Sequence, residues 1–268
     1  FQRTPNYSIP SRNRPMSEDY ERSWKEKYPQ IREQARTSPT GNVIRRNRLR
    51  AMEVSDAERA RTYAERWEAG GTQFMGSFRD ILTSQEANDT AAEFVRERIR
   101  ETVEDAETAE LLCPYDYPIG TKRICADTDY FETFNRDNVS LVDIRTAPIE
   151  GLSEKGLLTG GKEYEFDVIV FATGFDAMTG TLFAIDIRGR DGLQLSEKWE
   201  AGPRTYLGLM SNGFPNLFMV TGPGSPSVLS NMMVSIEQHV DYIVGILGHM
   251  RDGALDTCLL YTSPSPRD

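Results

Sequence analysis

Arg3 and Thr4 follow Gln2 in a short apolar opening that reads as the end of a strand. In a dinucleotide-binding fold, the end of the second strand approaches the adenosine ribose. An acidic residue there suits NAD, and an arginine accommodates the 2′-phosphate of NADP. The guanidinium fits that task because its planar fork meets phosphate oxygens bidentately and never loses its charge. A strand-end arginine is also commonly a plain surface residue. The glycine loop that would support the phosphate reading is expected roughly 20 residues upstream, outside this chain. A second cationic pair, Lys122-Arg123, stands in an extended Gly-Thr-Lys-Arg segment. Adjacent side chains of an extended segment point to opposite sides, so one cation can hold a phosphate while the other faces a reaction centre. A solvated basic loop is the simpler alternative for that pair.

Two further segments bear on ligand binding. Asp167 to Asp176, DVIVFATGFD, is an apolar run ending in small turn residues that let the backbone approach a partner strand or a cofactor. Gly222 to Asn231, GPGSPSVLSN, leads into a helical pattern, and a helix N-terminus offers unpaired N–H groups to an anion. Each has a plain alternative: a core strand with a tight turn in the first case, an ordinary loop and cap in the second.

Other chemistries find little support. There is no GxSxG, and His239 and His249 lie ten residues apart on one late helix, where they read as surface or packing residues. Hydrolase triads and histidine-rich metal sites are therefore poorly served. Cys113, Cys125 and Cys258 form no CxxC pair, which fits a reducing compartment and a cytoplasmic location. The 268 residues carry 31 Lys plus Arg against 41 Asp plus Glu, a net charge of −10, which disfavours non-specific nucleic-acid binding. No apolar run approaches the roughly 20 residues that span a bilayer.

The elements that must position these groups fall into two halves. Residues 1–16 read as a strand end followed by an extended, proline-rich loop. Ser17 opens a helix whose apolar face is Tyr20, Trp24, Tyr28 and Ile31, with Pro29 expected to kink or end it. Ser55-Asp-Ala-Glu58 is a capping box and Gly70-Gly71 the matching stop. A short helix is expected over 73–82, another capped by Asn88 and running to about Val103, and one more over 105–112. After Pro114 comes an ordered loop, then strands over 138–144 and, from the continuous apolar run DVIVFA, a parallel strand buried on both faces. Residues 215–220, PNLFMV, read as another strand. From about Val228, Met232, Ile236, Val240, Ile243 and Leu247 form a helical stripe. This order indicates an α/β sheet.

Taken together, QRTPNYSIPSRNRP, EVSDAE, GTKRICADTDYFETFNRDNV, DVIVFATGFDAMTG, KWEAGPRTYLG and GFPNLFMVTGPGSPSVLSNMMVSIEQHV resemble the flavin-dependent Baeyer–Villiger monooxygenases, of the phenylacetone and cyclohexanone monooxygenase branch. The resemblance runs in order through residues 1–257. It implies an α/β, Rossmann-like flavoprotein fold with two dinucleotide-binding domains, incomplete here, and an all-helical insertion. Residues 1–16 would belong to the NADPH-binding domain, 17–112 to the insertion, 113–176 to the remainder of the NADPH domain and the crossing segment, and 177–257 to the FAD-binding domain. Residues 258–268, CLLYTSPSPRD, resemble a translated sequencing adapter and are expected to be non-native.

The resemblance also assigns roles. Arg3, Thr4 and Lys122 match contacts to the NADP 2′-phosphate, and Arg123 matches the active-site arginine beside the flavin. Met232 matches a residue touching the flavin, and Ser227, Val228 and Leu229 a substrate-pocket bulge. The implied reaction uses FAD, NADPH and O2 to form a flavin C4a-peroxide that inserts one oxygen atom beside a ketone carbonyl, giving an ester or lactone. A related enzyme oxidising nitrogen or sulfur, or a non-catalytic remnant, are the alternatives. The family's GxGxxG loops and its FxGxxxHxxxWP fingerprint do not occur in this sequence, so the polypeptide alone is expected to bind FAD poorly and not to turn over. Neither the particular ketone nor an oligomeric state is readable.

Overall fold

The computed structural model describes residues 1–44, 46–225 and 230–258. The chain separates into two compact units, one formed by Phe1–Glu18 with Ile44–Phe171 and the other by Asp19–Val43 with Ala172–Asp268. It has mixed α/β content.

In the first unit, local capping chemistry sets the helix boundaries. Ser55 accepts a hydrogen bond from the Glu58 N–H and starts α2 (Asp56–Ala69), and Gly70 ends it with a φ of 70°, the left-handed conformation glycine adopts freely. Helix α3 (Gln85–Thr102) begins earlier than expected, because Ser84 rather than Asn88 is its cap. Asn88 is instead buried inside the helix. Its Nδ2 donates to the carbonyls of Ile81 and Ile119, and its Oδ1 accepts from the Ile119 N–H. Asp105 caps α4 (Ala106–Leu112). The helix expected over 73–82 is a 3-10 turn, Gly71–Gly76.

These elements close over an aromatic and aliphatic core of Tyr63, Phe74, Phe78, Phe94, Val95 and Ile99. The Tyr63 ring packs 5.6 Å from Phe74 and 5.4 Å from Phe78. Residues 1–16, read as a strand end followed by an extended loop, hold a strand within that loop: β1 (Ser8–Pro10) pairs in parallel with β2 (Cys125–Asp127), Ser8 opposite Cys125. The strand expected over 138–144 is reduced to a single parallel bridge between Gln2 and Asp143. Strands β3 (Ile149–Leu152), β4 (Gly156–Thr159) and β5 (Lys162–Glu165) form an antiparallel meander.

The apolar run DVIVFA forms no strand, contrary to expectation. Val170 is 82% exposed and Phe175 fully exposed. A strand buried on both faces requires neighbours to take up its backbone N–H and C=O groups and layers to cover its side chains. Among the described residues β5 ends at Glu165 and no further strand lies alongside 168–175.

The second unit contains α1 (Glu18–Thr37) and α7 (Met232–Asp252), with the short helices α5 (Gly180–Phe183) and α6 (Leu195–Lys198) in between. Helix α1 continues past Pro29 rather than ending there, so the ring removes one backbone bond without terminating the element. Of its expected apolar face, Tyr20, Trp24 and Tyr28 are exposed and Ile31 is half-buried. Arg32 pairs with Glu237 of α7 at 2.7 Å. The segment PNLFMV is also not a strand. It folds back, the Met219 N–H donating to the Leu209 carbonyl, and buries Met219 in a cluster with the preceding Phe214, Leu195 and Trp199. Helix α7 starts at Met232, later than its periodicity suggests, with Asn231 as its cap.

Candidate functional site

Arg3 and Thr4 follow directly on Gln2, whose N–H donates to the Val142 carbonyl and whose carbonyl accepts from the Ile144 N–H. The next residues run straight into β1. Lys122 and Arg123 stand just ahead of β2, the parallel partner of β1. Parallel pairing therefore brings both cationic segments to the same, N-terminal side of the β1–β2 ladder.

Tyr117 couples the two segments. Its hydroxyl donates to the Pro5 carbonyl at 3.1 Å and bonds the Asn6 amide oxygen, immediately after Thr4. The Lys122 Nζ lies 4.1 Å from the centroid of the same ring, within cation–π range. The ring also meets Tyr7 edge-on at 5.5 Å, and Tyr7 donates to the Pro114 carbonyl, anchoring the loop from its other end. Burial pushes the Tyr117 and Tyr7 hydroxyls above the ordinary phenol range, so both remain donors at neutral pH. Arg3, Lys122 and Arg123 are exposed and Thr4 is half-buried. The result is an accessible set of cationic and hydroxyl donors on a braced loop, the chemistry an oxyanion requires.

Met232 belongs to the second unit, half-buried at the first turn of α7. Asn231 fixes that turn. Its Oδ1 accepts from the Met233 N–H, its Nδ2 donates to the Gly41 carbonyl, and its own N–H donates to Thr40. Ser227, Val228 and Leu229, the expected pocket bulge, lie outside the described residues. A cavity of about 290 Å³ bounded by Trp67, Arg98 and Asp127 contains none of the predicted site residues.

Two residues escaped the sequence reading. Tyr117 sits in the Pro/Gly/Tyr-rich loop five positions before Lys122, and an aromatic fixed between prolines was its only signal. His239, taken as a surface or packing residue, is buried, and its Nδ1 accepts from the Thr221 N–H at 2.9 Å. Its signal was position: it falls four residues after buried Ser235, on the same face of α7.

No protein-family profile matches the chain. A Baeyer–Villiger monooxygenase of Pseudooceanicola batsensis is 38% identical over 255 residues, covering 94% of this chain and 46% of that protein. A solved structure of a steroid monooxygenase bound to NADP superposes with a TM-score of 0.87 at 50% identity, covering 94% of this chain and 48% of that one. Over nearly its whole length the chain is similar to Baeyer–Villiger monooxygenases. A relative named for another oxygenation is similar to the chain too. A phenazine N-monooxygenase of Lysobacter antibioticus is 41% identical over 251 residues, covering 92% of this chain and 46% of that protein. The chain spans about half the length of the curated relatives it matches. No helix among the described residues is long and apolar enough to cross a membrane.

Proposed function

We propose that the chain is the NADPH-side and substrate-side portion of an enzyme that inserts one oxygen atom of O2 beside a ketone carbonyl, forming an ester or lactone with NADPH and FAD as cofactors. The observation that carries this reading is Tyr117, which holds Lys122 over its ring while bonding the residues that follow Arg3 and Thr4. A guanidinium, a hydroxyl and an ammonium in that arrangement form a donor set that fits the 2′-phosphate of NADPH. For FAD this chain offers Met232 as an apolar contact. When bound, the two cofactors supply hydride and the activation of O2. Arg123 then provides a permanent positive charge for the oxyanion that develops as the ketone carbonyl becomes tetrahedral. On this reading, residues 1–16 and 113–176 belong to an NADPH-binding Rossmann-like domain, 17–112 to a helical insertion and 177–257 to an FAD-binding domain. The β1–β2 pairing supports it, because it joins the two flanks of the helical run.

The test uses the full-length enzyme that contains this segment. Loss of one charge-assisted contact costs about 1.5–3 kcal/mol, so Lys122→Ala or Arg3→Ala is expected to raise the KM for NADPH about 10- to 100-fold and leave that for NADH unmoved. Arg123→Ala is expected to abolish ester formation with flavin still bound. Normal product formation by Arg123→Ala would sink its assigned role. The similarity to a phenazine N-monooxygenase supports a second reading, oxidation of a nitrogen in the substrate. Product analysis separates the two, since one gives an ester or lactone and the other an N-oxide.

A further inference from the structure

Thr221 adopts a φ of 53°, a left-handed conformation that a β-branched residue avoids. Such a conformation persists only where its surroundings over-determine it. Here they do. The Gly222 N–H donates to the Gly208 carbonyl, and the Gly208 N–H donates to the Thr205 hydroxyl. The Thr205 hydroxyl in turn donates to the Pro223 carbonyl. The two loops approach so closely that a Cβ on Gly208 would stand 2.7 Å from the Gly222 carbonyl oxygen, and one on Gly224 2.8 Å from the Thr205 hydroxyl. From the helix side, the Thr221 N–H is taken by Nδ1 of His239, whose ring is 5% exposed. A ring nitrogen that accepts must be unprotonated, so His239 is neutral with its proton on Nε2. Burial holds it in that state by lowering its pKa, and no charged group contributes to that shift.

We propose that His239 is a positioning residue: its neutral imidazole locks Thr221 in the strained conformation and thereby sets the course of the Thr221–Ser225 loop ahead of Asn231 and Met232. The part of this inference that concerns substrate rests on the oxygenation reading, because in sequence the loop leads to the pocket positions assigned by resemblance. The lock needs an acceptor at the Nδ1 position and nothing else. Asparagine supplies one, since its Oδ1 is the same number of bonds from the backbone, whereas leucine fills the space without one.

The experiment compares wild type, His239→Leu and His239→Asn in the full-length enzyme by amide hydrogen exchange at Thr221 and by steady-state kinetics with a cyclic ketone. In His239→Leu, Thr221 exchange is expected to be about ten-fold faster, as for loss of one hydrogen bond, and the ketone KM to rise more than kcat falls. His239→Asn is expected to restore both. Equal Thr221 exchange in wild type and His239→Leu overturns the assignment, as does a His239→Asn variant as impaired as His239→Leu. If His239→Leu does not fold, the comparison of wild type with His239→Asn decides, because an unprotected Thr221 amide in either is incompatible with the lock. A wild-type enzyme that forms no ester from ketones overturns the oxygenation reading instead, and the exchange data then judge His239 alone.

Discussion

In the first unit Phe74, Val95, Ile99 and Ile119 are fully shielded from solvent, and Tyr63, Phe78 and Phe94 pack around them. In the second, Leu195, Trp199, Phe214 and Met219 make a small core, while Met233, Val240, Val244 and Leu247 of α7 remain exposed. Asn231 caps α7 as Ser84 caps α3, so capping does not account for the difference between these two helices. What differs is the supply of layers. Helix α3 buries Ala87, Ala91, Ala92, Phe94, Val95 and Ile99, with Tyr63 of α2 packed alongside, whereas the longer α7 buries only Ser235 and His239. Apolar patterning states what a segment could bury, and burial itself depends on a partner being present.

The largest effect expected from this contrast comes from core truncation. Trp199 is 2% exposed, and its Nε1 donates to the Arg204 carbonyl and to Ser211. Trp199→Ala should cost about 3–5 kcal/mol, which in so small a core removes amide exchange protection across 187–219. Phe74→Ala should cost a similar amount yet leave α2 and α3 protected, because Tyr63, Phe78 and Phe94 still pack together. Equal loss of protection in both variants would break the contrast.

A smaller effect should follow from Asn88→Ala. It strips three buried hydrogen bonds that tie α3 to Ile81 and Ile119, and each orphaned partner costs about 1 kcal/mol or more. A drop of about 2–4 kcal/mol in urea denaturation is expected. A near-neutral result would mean that the packing of the first unit does not depend on this link.

The gentlest test is pH. The buried tyrosines of the first unit, Tyr7 and Tyr63, have raised pKa values and stay neutral under mildly acidic conditions. His239 in the second unit has a pKa lowered from the ordinary 6.5. As pH falls below about 6.5 the unfolded chain takes up a proton that the folded one refuses, so stability declines from there toward the lowered folded value and is fully present above it. Denaturation followed from pH 7.5 to 5.5 should show this decline in wild type and not in His239→Asn. The same slope in both would assign the effect to other groups.

Helix existence was largely legible, because capping is local: Ser55 with Glu58, Asp105 with Thr108 and the stop at Gly70 are all decided within a few residues. The candidate cationic site could be proposed from residue types, Arg3, Thr4, Lys122 and Arg123, but not its arrangement. Tyr117, which gathers two of the segments, is more than a hundred residues from Pro5 in sequence. Asn88 misled for a related reason. A polar residue near a helix start suggests a cap, and nothing nearby in sequence reveals that its partners are Ile81 and Ile119. DVIVFA and PNLFMV misled because an apolar run specifies hydrophobicity without specifying a neighbour.

The sequence by itself carried the family resemblance, the existence of most of the longer helices and the identity of the candidate donors, since these rest on residue types and short spacings. The tertiary structure decided which apolar runs are covered, which cations share one side of the β1–β2 ladder, and that His239 is buried against Thr221. Those outcomes depend on hydrogen bonds and packing between residues far apart in the chain, whose partners no local pattern names.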